Sequence, residues 1–168
     1  MQPSNDMIRQ YLDDNPNAMP SQAAIELGVS ELAVVLALPE AQVSQFPLSD
    51  KDELLSCLPH WGRMTTIIAV SGSVFEFKGE FPQGKYAYGY YNLITEDDGL
   101  HGHLKLDSLG AISLVSRPFR GKESHSINFF GSEGEMIFKV YLGRDSNRVL
   151  LPDQVARFNA LKERSLAA

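Results

Sequence analysis

Only one cysteine, Cys57, stands in 168 residues. No disulfide can form within the chain, and the sequence fits a reducing compartment. No apolar run is long enough to span a bilayer as a helix. The first twenty residues include Asp6, Arg9, Asp13 and Asp14 and lack the apolar core of a secretory signal. Bases are in deficit: 15 Lys and Arg against 21 Asp and Glu leave a net charge of −6, which disfavours general affinity for nucleic acid or anionic membrane. Also missing are the glycine-rich phosphate loop, the dinucleotide fingerprint, the nucleophile elbow, the H-E-x-x-H zinc motif and paired-cysteine zinc sites. The expectation is a cytoplasmic protein with no membrane insertion and no nucleic-acid partner. Its 43% hydrophobic share is enough to build a packed core.

The chain changes character near residue 60. Residues 1–58 read as helices. Ser4 can cap one that carries Ile8, Tyr11 and Leu12 and stops at Asn15-Pro16; Ser21 can cap a second, ended by Gly28; Ser30 opens a third, stopped before Pro39. A fourth runs from Ser49 to Pro59, with Asp52 in the place of a capping-box glutamate. The second and third look like a helix-turn-helix. However, residues 1–46 hold one base, Arg9, against six acids. The segment Glu31 to Leu38 offers no Arg, Lys, Asn or Gln to read a base edge. A helix-turn-helix that packs rather than reads is the expectation.

From residue 61 the hydrophobic period shifts from about 3.6 to 2. Strands are expected over Met64–Val70, Val74–Phe81, Tyr86–Ile94, His101–Leu106, Ala111–Ser116, Ser124–Phe130 and Met136–Leu142, with turn-like separators between them. A final helix starts near Pro152 and turns Val155, Phe158 and Leu161 inward. The fold class is therefore α+β: an N-terminal helical segment, 1–58, then a large antiparallel β-meander with a C-terminal helix, 59–168, compatible with one compact domain.

Two of the four histidines fall in Gly99-Leu100-His101-Gly102-His103-Leu104-Lys105. On one strand, side chains at i and i+2 share a face, about 6.5–7 Å apart. His101, His103 and Lys105 would then lie together. Such alternation often marks only a wet sheet face, but imidazole is also the commonest metal ligand and a haem axial ligand. Tyr86, Tyr88 and Tyr90 share a face on the expected Tyr86–Ile94 strand. β-propensity alone accounts for them; the functional alternative is a platform for a flat aromatic ligand.

The succession of short motifs is more specific than any one of them. Trp61-Gly62-Arg63-Met64-Thr65-Thr66, Phe75-Glu76-Phe77-Lys78-Gly79-Glu80-Phe81-Pro82-Gln83-Gly84, Gly89-Tyr90-Tyr91-Asn92-Leu93 and Gly102-His103-Leu104-Lys105 follow one another, then Phe129-Phe130 and Lys139-Val140-Tyr141-Leu142-Gly143-Arg144-Asp145. This order resembles the HutX/ChuX family of cytosolic haem-utilisation carrier proteins, related to HemS/ChuS-like haem proteins, over essentially the whole chain. The resemblance implies a carrier, not an enzyme, that accepts imported haem b and passes it to a downstream haem-degrading or storage protein. It also implies a homodimer, because related proteins carry the strand-rich unit twice. The family histidine of S-G-H-[IL]-K maps onto His103, the leading iron ligand; His101 stands at the serine and is a second choice. Where some members have T-T-x-x-H, this chain has Ala69, so any second axial ligand differs. Tyr90 is a candidate from the tyrosine-rich strand, since tyrosine ligates haem iron. Arg144, with Arg117, Arg120 and Lys122, is a candidate for the propionates. The rival readings are a haem-degrading oxygenase, a helix-turn-helix regulatory sensor, and a zinc or nickel site on His101 and His103, two ligands being short of what such sites need.

Overall fold

A computed structural model describes residues 2–167. Three helices open the chain: α1 (Asn5–Asp14), α2 (Pro20–Leu27) and α3 (Glu31–Leu36). Ser4 Oγ accepts from the Met7 N–H, and Ser30 Oγ accepts from the Ala33 N–H at 3.2 Å, both as N-caps that satisfy otherwise unpaired first-turn donors. Gly28 ends α2 in the left-handed conformation at φ 66°. Ser21 does not cap α2. The helix begins one residue earlier at Pro20, whose fixed φ and missing N–H suit the first position. α4 (Lys51–Cys57) is likewise shorter than expected, because a 3-10 turn over Leu48–Asp50 precedes it; the Asp52 carboxylate accepts the Tyr86 hydroxyl instead of closing a capping box.

Among the described residues nine strands form two antiparallel sheets. They are β1 (Val43–Phe46), β2 (Arg63–Val70), β3 (Ser73–Glu80), β4 (Gln83–Ala87), β5 (Tyr90–Ile94), β6 (Gly102–Leu104), β7 (Leu109–Ser116), β8 (His125–Gly131) and β9 (Met136–Tyr141). The large sheet has the order β1-β7-β8-β9-β2-β3, and the small one β4-β5-β6. α5 (Pro152–Ala167) closes the chain.

β1 lies inside the stretch read as helical. Its four residues pair with β7 from Val43↔Val115 to Phe46↔Ile112, too few to show a period in sequence. The Tyr86–Ile94 segment is two strands rather than one. Tyr88 (φ 55°) and Gly89 (φ 80°) make a two-residue turn between Ala87 and Tyr90, and two positive φ values in a row are what a tight hairpin with right-handed strands requires. Tyr86, Tyr88 and Tyr90 therefore do not share a face.

The register separates two faces of the large sheet. One carries Phe46, Ile112, Leu114, Ile127, Phe129 and Val140, packed against Leu54, Leu55 and Leu58 of the α4 region, Phe158 and Leu161 of α5, and Tyr91 and Leu93 of the small sheet. Phe129 and Phe138 stack at 4.3 Å within this core. On the other face, α1–α3 bury Ile8, Leu12, Ala23, Val34 and Val35 against Val115 and Phe130. The helix-turn-helix thus spends its apolar side on the sheet.

Buried Gln154 fastens α5 to the sheet. Its Nε2 donates to Trp61 O (3.0 Å) and Arg63 O (2.9 Å), and its Oε1 accepts from the Gly143 N–H at 2.6 Å. Gly143 has no room for a side chain here: an added Cβ would lie 2.0 Å from Arg63 O. Replacing Gln154 by Leu orphans three backbone groups. It is expected to cost about 2–4 kcal/mol, read as a lower urea midpoint at unchanged slope.

Candidate functional site

The small sheet presents one wet face and one dry face. Tyr91 and Leu93 turn inward to the core. Lys85, Asn92 and His103 sit in one cross-strand row, from the pairs Lys85↔Asn92 and Asn92↔His103, and the alternation of strand side chains puts them, with Tyr90, on the outer face. His103 is exposed, and its ring meets that of Tyr90 edge-to-face at 5.9 Å and 66°.

Asn92 orients the imidazole. Its Nδ2 lies 3.1 Å from both Lys85 O and Ala87 O and 3.3 Å from Tyr90 O. Carbonyls only accept, so this end of the amide is the NH₂. The other end, Oδ1, lies 2.5 Å from His103 Nδ1. An amide oxygen only accepts, so Nδ1 carries the proton and Nε2 keeps its lone pair, directed away from the amide. A fixed tautomer with a free Nε2 is how an outer hydrogen bond prepares a histidine to bind metal.

The other sequence-selected residues are placed differently. β6 holds only three residues, so His103 lies within it, while His101 precedes it, exposed and with no side-chain hydrogen bond among the described residues. The short strand reflects the 3-10 turn at Leu106–Ser108, which pulls Leu106 into the core. Tyr86 packs on Tyr91 at 5.2 Å on the dry side and donates to Asp52. Desolvation and that hydrogen bond push its phenol far above the ordinary tyrosine range, and burial raises Tyr91 as well. Neither phenol is prepared to ionise. Tyr88 projects from the hairpin tip, leaving Tyr90 as the tyrosine of that segment beside His103. His125 is buried with both nitrogens engaged, Nδ1 with Ser116 Oγ (2.8 Å) and Nε2 with Glu123 Oε1 (3.0 Å). No group of three or more His, Cys, Asp or Glu side chains gathers for a metal ion among the described residues.

Arg144 stands elsewhere. It lines a cleft of about 530 Å³ on the helix-bearing face of the large sheet, where Ala69 also opens, and none of His101, His103 and Tyr90 lines that cleft. Its guanidinium is braced by Arg148 O and Glu123 O. Arg117 ties the β7–β8 connection to Gln42, Pro16 O and Ala18 O. Arg120 lies over the Phe119 ring at a positive-φ turn that Phe119 and Lys122 close. The cleft was not legible in sequence. Its bases come from β2, β3, β9 and the loop after β9, and only strand order brings these together.

The α+β fold thus presents one pre-oriented, solvent-facing imidazole on a small antiparallel sheet. Residues 45–161 match the haem utilisation ChuX/HutX family, and the chain belongs to it. It is 47% identical, over 97% of its length and 84% of the relative's, to the intracellular heme transport protein HutX of Vibrio cholerae. It superposes on the heme binding protein ChuX with a TM-score of 0.83 at 33% identity, covering 96% of this chain and 99% of that one. On ChuS, an E. coli heme oxygenase, the TM-score is 0.74 at 14% identity, covering 96% of this chain and 50% of that one. That likeness is one of fold alone.

The tautomer can be tested without any ligand. At about pH 9, where imidazoles are neutral, ¹⁵N spectra of histidine-labelled protein are expected to show His103 protonated on Nδ1. In Asn92→Leu the Nε2–H form should gain population.

Proposed function

We propose that this protein is an intracellular, cytoplasmic haem carrier that takes on haem b at the His103 face and releases it to a haem-degrading or storage protein. The observation that carries this reading is the His103 imidazole, exposed and held by Asn92 with Nε2 free. The 47% identity to a heme transport protein supports the same role. His103 Nε2 would hold the iron, with Tyr90 beside it on the same face as a flanking or alternate donor and His101 as the second-choice histidine. Exposure suits transfer: each 1.4 kcal/mol or so withheld from binding eases release about tenfold. Arg144 serves the propionates only for a ring that reaches the cleft.

Assembly as a homodimer belongs to this reading. β3 is an edge strand of the large sheet with Val74 and Phe75 exposed, and Tyr88, Tyr90 and Ile94 are exposed on the small sheet. Open edges and apolar surface of this kind are usually covered by a partner. The chain also covers 50% of ChuS, as one of two repeated units would.

Four outcomes are expected. Hemin titrated into the protein gives a saturable Soret shift near one haem per chain. In His103→Ala that shift is altered, or the affinity falls at least about tenfold, whereas His125→Ala matches wild type; an unchanged His103→Ala removes this residue from the site. The haem complex keeps its Soret band with an electron donor and oxygen, and stoichiometric conversion to a linear tetrapyrrole would make the protein an oxygenase instead. Light scattering gives twice the 18.6 kDa chain mass.

A further inference from the structure

His101 is an exposed histidine that haem carriage through His103 does not require. It stands two residues before His103, and the chain turns both rings outward. Leu100 and Leu104 pack against the main core, and a Cβ placed on Gly102 would meet Leu93 at 3.8 Å. Leu100, Gly102 and Leu104 are therefore the inward members of the alternation, and His101 and His103, both exposed, are the outward ones. Residues at i and i+2 on one face stand about 6.5–7 Å apart, a span that two convergent imidazoles close with one ion between them.

The two rings are held differently. Asn92 Oδ1 takes the Nδ1 proton of His103, so the Nε2 lone pair points away from β5. β6 is an edge strand of the small sheet, and no strand lies on that side among the described residues. No carboxylate is within ion-pair distance of either ring among the described residues. One donor is thus fixed, and exposed His101 can turn to meet it. The other two histidines offer no such pair: both His125 nitrogens are engaged, and His60 ends the 3-10 turn Leu58–His60.

The connection that leads into this segment carries charge of the matching sign. Glu96, Asp97 and Asp98 are exposed, without a base in ion-pair distance among the described residues, against Lys105 at the far end of the segment. Such a run raises the local concentration of cations. Imidazole suits zinc, copper and nickel. Two protein donors are short of the four that close a structural zinc site, so water completes the shell and the ion exchanges with solvent.

We propose that His101 and His103 form an exchangeable two-histidine site for a zinc ion, which takes the same His103 Nε2 that haem iron would use. Zinc and haem then exclude one another, and zinc lowers haem loading. The exclusion rests on the haem-carrier reading; the zinc site itself does not.

The probe is zinc chloride, added to tag-free protein and followed by calorimetry. One ion per chain is expected to bind saturably. His101→Ala and His103→Ala should each raise the dissociation constant about tenfold or more, and His60→Ala should match wild type, with circular dichroism confirming the fold of each variant. In ¹⁵N spectra of histidine-labelled protein, zinc should move the His101 and His103 signals and leave that of His125 in place. At zinc about ten times its own dissociation constant, the apparent dissociation constant of hemin should rise about tenfold, and this rise should shrink in His101→Ala. Absence of saturable zinc binding, wild-type affinity in His101→Ala, loss of binding in His60→Ala, or bound hemin whose affinity is indifferent to zinc would overturn the proposal. If hemin gives a Soret shift that depends on His103 while zinc does not bind, the zinc site falls and the carrier reading stands. If zinc binds through both histidines and hemin gives no Soret shift, the carrier reading falls alone.

Discussion

The large sheet has two faces to cover and unequal material to cover them with. At its centre every residue of β8 is buried, because β7 and β9 take its edges while packed layers lie above and below. One face is covered over its centre by α4, α5 and the small sheet, leaving Val70 and Phe75 exposed at the β2–β3 end, with Gln154 locking α5 to the turns at Trp61, Arg63 and Gly143. The other receives only three short helices, whose apolar residues cover the Val115 and Phe130 region and stop there. Beyond them β2, β3 and β9 remain open, and this shortfall is the cleft.

The small sheet depends on the large one for its rigidity. Tyr91 inserts into the common core and lies across Gly84, where an added Cβ would stand 2.1 Å from its ring. Tyr86 reaches Asp52 on α4. With its dry side fixed in this way, the sheet can hold a polar device on its wet side. Asn92 uses one end of its amide to tie the hairpin backbone and the other to set the His103 tautomer. A histidine on a mobile loop would lose more freedom on binding any ligand, whereas this one is already held by Asn92.

Charge is unevenly divided along the one face that α1–α3 share with the open part of the sheet. The N-terminal helices are acidic, with one base against six acids over residues 1–46, and pack their apolar side on the sheet. Bases concentrate instead along the open sheet face. His103 and Arg144, which local chemistry would pair as ligand and propionate clamp, lie at different sites of the chain's surface.

Much of the fold was legible residue by residue. Ser4 and Ser30 cap helices because a hydroxyl ahead of a helix has unpaired donors to satisfy. Gly28 and Pro152 punctuate for backbone reasons, β2, β3 and β9 alternate strongly enough to read, and the motif order from Trp61 to Asp145 carries the family. These features are local, or are strings of local ones, and so the sequence by itself determined them. It also determined that His103 stands out chemically. Tertiary structure alone decided that β1 joins the sheet, since four residues pair only because β7 offers an edge. It decided that the tyrosine run folds back at Tyr88-Gly89, a positive-φ conformation that Tyr does not advertise. It placed Asn92 under His103, residues eleven positions apart that meet only through strand register. Faces, clefts and hydrogen-bond partners arise from which strands become neighbours, and that is fixed by the packing of the whole chain rather than by any window of it.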